Sequence, residues 1–556
     1  MASKRVLIVG GVAGGASCAA RLRRLDERAE IFIYERGADV SFANCGLPYY
    51  LGGVISERQH LLVATPERFR DLLKIEVRAH REVRRIDRAQ KTIEVQNLQT
   101  GATLIEPYDI LVLSPGAAPI RPPLPGIDLP GIFCLRSLAD ADQVRAWMAQ
   151  REAASAVVVG GGYIGLEMVE NLSRRGLSVT LLERLDQVMP VMDPEMVSPV
   201  YAELRTAGVD LRLGHAVAGF EPGPEGTVTV IAESPEKAQE RFTAHVVVLG
   251  MAVKPEVGLA QAAGLRIGST GGIWVDEQMR TDDPHIFAVG DAVEVRDFIT
   301  GRPTLVPLAG PANRQGRIAA DAICGRNSRF RGVQGTAVVG VFGLTLAMTG
   351  ATEKSLCQAG ITFQKSYTHS PDHATYYPGA QPISLKLLYE PQTGRLLGAQ
   401  AVGRAGVEKR IDVLAMAIQK GASVFDLEEA ELCYAPQYGS AKDAINMAGF
   451  VAGNILRGDV QPAQWSEWKA RQAVGDPPLT LDVRPAAMVA KESIPGTIRI
   501  PLGELRTRLG ELPRDREIWV HCGVGQNSYF ASRLLAQHGF RVRNLSGGIA
   551  SYKMEP

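Results

Sequence analysis

Two glycine-rich turns, each set between a short apolar run and a helix of small residues, limit what this chain can fold into more than any other feature. Residues 5–9 (Arg-Val-Leu-Ile-Val) read as a buried parallel strand, followed by GGVAGG at 10–15 and a helix predicted from Ala16 toward Arg24. A second strand, predicted over 31–34, ends at Glu35, 25 residues after Gly10. In this order the glycines let backbone approach a pyrophosphate, the helix start offers unpaired N–H groups, and the acid accepts from ribose hydroxyls. Val12 stands where the pattern has its central glycine, so close approach falls to Gly10 and Gly15. The unit then recurs: a strand over 156–159, GGGYIG at 160–165, a helix from Leu166, a strand over 179–182 and an acid, Glu183, at its tip. The second candidate set is therefore Gly160, Gly162, Gly165 and Glu183. One such turn is a weak sign. Two in one chain, with both acids placed, point to a pair of dinucleotide-binding folds.

The 556 residues provide for roughly three to four domains at about 150 residues each. With 61 Lys plus Arg against 60 Asp plus Glu, no global field exists to gather nucleic acid or an acidic membrane, so any anion site is local. The seven cysteines (Cys18, Cys45, Cys134, Cys324, Cys357, Cys433 and Cys522) are odd in number and contain no CxxC, so neither a disulfide framework nor a metal site is expected. No apolar run reaches the ~18 residues of a membrane span or forms a signal-peptide core. The expectation is a cytoplasmic protein without nucleic-acid or membrane partners.

The segment IFAVGD at 286–291 places Asp291 at a strand end, where it can accept from polyol hydroxyls. Together with SPGAAP at 114–119 and the paired glycine turns, it resembles the two-dinucleotide-fold flavoprotein disulfide reductases, over residues 5 to about 455. The resemblance implies FAD on the first unit (Gly10, Gly15, Glu35, Asp291) and a nicotinamide dinucleotide on the second. Glu183 would hold both ribose hydroxyls and repel a 2′-phosphate, favouring NADH, whereas Arg184 beside it leaves NADPH open.

SFANCGLPYY at 41–50 puts Cys45 where a loop enters a helix, an environment expected to lower a thiol pKa. No second cysteine lies near, so the chemistry is monothiol: the other sulfur or oxygen comes from a cofactor, a substrate or an oxidant. The segment is similar to the signature of coenzyme A-disulfide reductases. A related branch of NADH peroxidases and oxidases usually carries a His in the first glycine turn, where this chain has Ala13. The resemblance further implies a homodimer in which Tyr376 and Tyr434, in HATYYPGA and CYAPQYGSAKD, reach the partner's cysteine and flavin, the phenols serving as proton donors. It also places coenzyme A on Ser17, Arg21, Arg24, Ser41, Asn44, Arg314 and Lys442.

After Gly458 the chain reads as an irregular linker through Asp476-Pro477-Pro478, followed by a new alternating α/β unit. Its strand over 518–521 runs into CGVGQNS and a helix, so Cys522 heads a loop whose N–H groups form an anion nest for a thiolate or persulfide. LDVR at 481–484, IPGTIRIPL and LSGGI complete a resemblance to rhodanese sulfurtransferases. Asn527 departs from it, standing where many active members carry Arg, which weakens attraction for thiosulfate more than for persulfides.

The expected architecture is α/β throughout: two Rossmann-like domains, for FAD (1–150 and 270–330) and NAD(P) (151–269), an α+β dimerisation domain (331–457), a linker (458–478) and a rhodanese-like domain (479–556). The expected function is reduction of coenzyme A persulfide, polysulfide or coenzyme A disulfide by NAD(P)H through FAD and Cys45, with Cys522 catalytic in sulfur transfer. The alternatives are an NADH oxidase or peroxidase, or a non-catalytic flavin redox sensor.

Overall fold

A computed structural model describes residues 3–555, which divide into two compact units, residues 3–188 with 208–333, and 189–207 with 334–555.

The first unit is built on two parallel five-stranded sheets. One runs in the order Ile286–Ala288, Ile110–Leu113, Arg5–Val9, Glu30–Tyr34, Glu76–Arg78. The other runs Asp210–Arg212, Ser178–Leu182, Ser155–Val159, Val246–Leu249, Ile132–Phe133. Covered on both faces, their central strands are continuous apolar runs: Val6, Leu7 and Ile8 are wholly buried, as is Val158. The first helix, Ala13–Leu25, begins three residues earlier than predicted from Ala16, and the second, Tyr163–Arg174, three earlier than Leu166. Glycines that suggested loop in the sequence form the first turns, because those turns must pass close to other backbone. Helix Ala13–Leu25 packs on Ala309–Ile323 through small residues, and a Cβ on Gly316 would stand 2.2 Å from the Gly14 carbonyl oxygen.

The second unit holds an antiparallel five-stranded sheet in the order Ala337–Val341, Leu344–Gly350, Leu396–Gly403, Pro382–Tyr389, Gln364–Pro371. Helices Val407–Gln419 and Ala444–Leu456 accompany it. The segment 189–207, expected inside the NAD(P) domain, belongs here. Asp193 donates its backbone N–H to Gln400 at 2.8 Å, and the fully buried Lys386 ammonium pairs with Asp193 at 2.6 Å and also with Glu195 and Glu353. Lys386 thus lies among three carboxylates that could otherwise attract a cation.

A parallel sheet in the order Pro462–Ala463, Val542–Leu545, Ile518–His521, Leu479–Asp482, Ile498–Arg499 forms the C-terminal part. The expected linker 458–478 is corrected here. Pro462–Ala463 is an edge strand of this sheet, and Trp465–Ala473 is a helix whose Trp465 and Trp468 are buried, Trp468 donating to Thr480 Oγ at 2.9 Å. The prolines and polar residues of that stretch read as a break, while the i, i+3 tryptophan pair is what the core required.

Candidate active site

Both glycine turns are closed in the same way. Gly10 sits at φ +92°, and a Cβ on Gly15 would lie 2.0 Å from the Gly10 carbonyl oxygen, so only glycine lets the helix begin against the turn. Glu35 accepts from the N–H groups of Gly11 and Gly37, each at 3.0 Å. In the second turn Glu183 accepts from Gly161 at 2.6 Å and from Leu185 at 2.8 Å. Neither Val12 nor Gly162 caps its helix with a side chain, and neither helix has an acid in its first turn, leaving N–H groups to meet an anion. A Cβ on Gly162 would meet no protein atom within 4 Å, which marks space kept open beside the turn.

Asp291 follows strand Ile286–Ala288. It is mostly buried, accepts no hydrogen bond among the described residues, and burial pushes its carboxyl pKa up. An unsatisfied, desolvated acceptor beside the first turn fits a ligand that brings hydroxyl donors, as the ribityl chain of FAD would.

The cysteine loop is pinned to this turn. Ser41 takes φ +48°, donates its N–H to the Gly11 carbonyl at 2.8 Å, and accepts from Val63 at 2.8 Å. Asn44–Gly46 then forms a 3₁₀ turn carrying exposed Asn44 and Cys45 into helix Leu47–Leu51. That short helix is clasped to the second nucleotide helix: Arg175 Nε donates to the Leu51 carbonyl at 2.8 Å, and Tyr49 donates its phenol to Glu167 at 3.3 Å. Cys45 therefore lies on a segment tied to the first glycine turn and to the helix that follows the second, with Glu167 and Asp291 near enough to act on its thiol. Its thiol departs from expectation: partial burial first, then the charges of Glu167 and Asp291, raise its pKa, and its own backbone hydrogen bond only partly opposes them.

Glu167 escaped the sequence reading. Burial pushes its carboxyl up to about 7, with neighbouring Glu170 adding to the effect. The usable signal was its place four residues after Tyr163, near the start of a helix opened by a glycine turn.

The anion-binding candidates separate. Ser17 hydrogen-bonds to Asn313, and Arg21 is committed to Asp321 at 2.8 Å, an acid that also accepts from Ser328. Arg24 is exposed and makes no ion pair among the described residues. Arg314 lies 5.0 Å from the Phe330 ring and makes no ion pair among the described residues. Lys442, in the second unit, is exposed beside buried Asp443. Tyr376 and Tyr434, 58 residues apart, are brought together with their hydroxyls at 2.5 Å and remain 73% and 50% exposed. That hydrogen bond holds the Tyr376 phenol above its usual pKa.

At the end of strand Ile518–His521, Cys522 is 3% exposed, and its sulfur accepts from the Gly525 N–H at 3.2 Å and the Ser528 hydroxyl at 3.4 Å. The neighbouring loop braces it: Ile549 donates to the Cys522 carbonyl and Ala550 to that of Gly523, both at 2.9 Å. Beneath, Arg484 clamps buried Asp482 at 2.7 Å, and burial lowers the His521 imidazole pKa to about 4. Ser528 and the Arg484–Asp482 pair were not singled out from the sequence. Asn527 is exposed, so no cation of the loop stands at that position.

Residues 4–316 match the pyridine nucleotide-disulphide oxidoreductase family, 336–444 its dimerisation domain and 465–555 a rhodanese-like domain. The chain is 36% identical over 453 residues to a coenzyme A disulfide reductase of Staphylococcus haemolyticus, covering 81% of this chain and 100% of that one. The crystal structure of reduced Bacillus anthracis CoADR-RHD superposes with a TM-score of 0.96 at 44% identity, covering 100% of this chain and 98% of the other. A NAD-dependent persulfide reductase from A. fulgidus superposes with a TM-score of 0.91 at 38% identity, covering 99% and 100%. With a cysteine loop tied to the first glycine turn and to the helix after the second, and likeness extending across all its domains, the chain belongs to the pyridine nucleotide-disulphide oxidoreductase family and carries in addition a C-terminal rhodanese-like domain.

Proposed function

We propose that this protein reduces coenzyme A persulfide or coenzyme A disulfide with electrons from NADH, through the single thiol of Cys45. The observation that carries the reading is the placement of Cys45, exposed and without a neighbouring cysteine on its loop, on a segment tied to the first glycine turn and to the helix that follows the second. The first turn, with Glu35 and Asp291, would hold FAD, which when bound would supply the route for an electron pair from NADH to sulfur. Cys45 Sγ, as thiolate, attacks the sulfur bonded to the coenzyme A carbon chain. The S–S bond breaks, sulfide or coenzyme A thiolate leaves, and a Cys45–coenzyme A disulfide forms. Two electrons and one proton then return Cys45 to thiolate and release coenzyme A as thiol.

In this scheme Tyr376 and Tyr434 act across a homodimer, their paired phenols protonating the departing sulfur. Arg24, Arg314 and Lys442 hold the phosphates of coenzyme A, with Ser17, Ser41 and Asn44 along its path, and Arg21 shapes that path through Asp321. Glu183 at the strand tip supports NADH over NADPH. Cys522 carries sulfane sulfur to or from the reductase site, its loop suited to persulfides because no cation stands at Asn527.

The test is anaerobic NADH oxidation by the purified holoenzyme with coenzyme A persulfide and with coenzyme A disulfide. We expect turnover with either substrate, and Cys45→Ser to lower it by at least ~10³-fold, as loss of a nucleophile does, with FAD retained. Activity surviving in Cys45→Ser would overturn the monothiol scheme. Turnover that required oxygen would mark an oxidase instead.

A further inference from the structure

Tyr376 and Tyr434 sit on separate exposed loops, yet their hydroxyls meet at 2.5 Å. Exposed side chains on loops do not hold such a geometry unaided, because each pays conformational entropy to do so. What holds them is buried behind. Arg410, on helix Val407–Gln419, is 2% exposed, and its guanidinium makes four hydrogen bonds. Nε and Nη2 donate to the two carboxylate oxygens of Asp443 at 3.2 and 2.6 Å. Nη2 also donates to the backbone carbonyl of Asp372 at 2.6 Å, and Nη1 to that of Gly406 at 3.1 Å.

These contacts join the roots of both tyrosine loops. Asp372 opens the loop that carries Tyr376, and its carboxylate closes that loop by accepting from Gln381 at 2.6 Å and pairing with His373 at 2.9 Å. Asp443 ends the loop that carries Tyr434 and starts helix Ala444–Leu456, accepting from Ile445 at 3.1 Å. Between them the loops share backbone bonds, Ala374 donating to the Gly439 carbonyl at 3.0 Å and to that of Pro436 at 3.3 Å. A planar guanidinium with five donors can span carboxylate and carbonyl together, and a lysine ammonium cannot reproduce that fork.

We propose that Arg410 and Asp443 are positioning residues for the tyrosine pair: their bidentate ion pair sets the two loops in register, so that the phenols meet and are presented as one unit. The assignment rests on the reading that these tyrosines complete the reductase site, and deepens it by naming what orients them.

The experiment is a mutant cycle on the purified dimer and its FAD. Asp443→Asn keeps a good helix cap while removing the charge and one acceptor, so it leaves the fold least disturbed. Arg410→Lys removes the fork. The reference is Tyr376→Phe/Tyr434→Phe. We expect Asp443→Asn and Arg410→Lys each to lower kcat about tenfold with the KM for NADH unchanged within twofold. In the double-phenylalanine background the same changes should cost less than twofold. A loss of equal size in both backgrounds, or no loss in Asp443→Asn, would overturn the proposal. Should the double-phenylalanine protein itself keep full activity, the tyrosine reading fails; tyrosinate absorbance titration of Asp443→Asn then decides the positioning claim alone. A phenol titration displaced from that of the parent supports it, and an unchanged curve refutes it.

Discussion

Residue by residue, the chemistry lies in side chains whose neighbours come from far along the chain. Cys45 and Cys522 announce themselves through their flanking sequence, and so do the glycines. Glu167 does not, because its partner Tyr49 is 118 residues away and only packing of the cysteine helix on the second nucleotide helix creates its environment. The same holds for Arg21, expected from the resemblance to contact coenzyme A and found paired with Asp321, 300 residues on. Glu167 yields a signed prediction. Its carboxyl, raised by burial to about 7, is neutral at lower pH and ionises above it, and the resulting charge opposes the Cys45 thiolate. Glu167→Gln should therefore shift the pH midpoint for iodoacetamide alkylation of Cys45, followed by mass spectrometry of its peptide, downward by up to about one unit. An unchanged midpoint would separate the carboxylate from the thiol.

At the scale of elements, the strands were readable wherever apolar runs met glycine: the predicted 156–159, 179–182 and 518–521 fall within Ser155–Val159, Ser178–Leu182 and Ile518–His521. Helix starts were read late, since glycine normally argues against helix and here serves close backbone approach. Helix Trp465–Ala473 was missed because its flanks carry Gly458, Pro462 and the Pro477-Pro478 pair, which outweighed two tryptophans in a local reading. Segment 189–207 could not be assigned from sequence either, its allegiance being fixed by Lys386, nearly 200 positions away. The two turns make contrasting predictions. Gly15→Ala places a methyl 2.0 Å from the Gly10 oxygen, so the first unit should lose its FAD and its yellow absorbance. Gly162→Ala meets no protein atom, so the protein should fold with an unchanged Tm and retained FAD while the KM for NADH rises roughly tenfold. A Gly162→Ala enzyme with normal KM would show that the space beside this turn is not the nucleotide's.

The whole molecule raises the question of what its C-terminal domain does for the rest of the second unit. The S. haemolyticus reductase is matched over its full length by 81% of this chain, so a reductase can be complete without residues like 465–555. Here the domain is built into its neighbour. Tyr367 of strand Gln364–Pro371 donates its N–H to Ser546 at 3.3 Å, and His369 of the same strand bridges Ser384 and Ser551, each at 2.8 Å. Burial lowers the His369 pKa to about 4, so the ring is neutral and works as a hydrogen-bond bridge. Ser551 belongs to the helix Gly548–Met554, and the start of that helix braces the carbonyls of Cys522 and Gly523. The strand that touches the rhodanese-like domain is thus also the one leading to Tyr376. Two perturbations separate chemistry from support. Cys522→Ser removes a thiol and no packing, so it should leave the Tm within 2 °C or so and spare NADH-driven reduction of small persulfides. Ending the chain after Arg457 uncovers His369 and Tyr367 and strips the cover from their strand, so it should lower the Tm by more than about 5 °C. If the shortened protein melted like the full one, the C-terminal domain would be a separate passenger, and its contacts with the antiparallel sheet would contribute nothing to holding that sheet together.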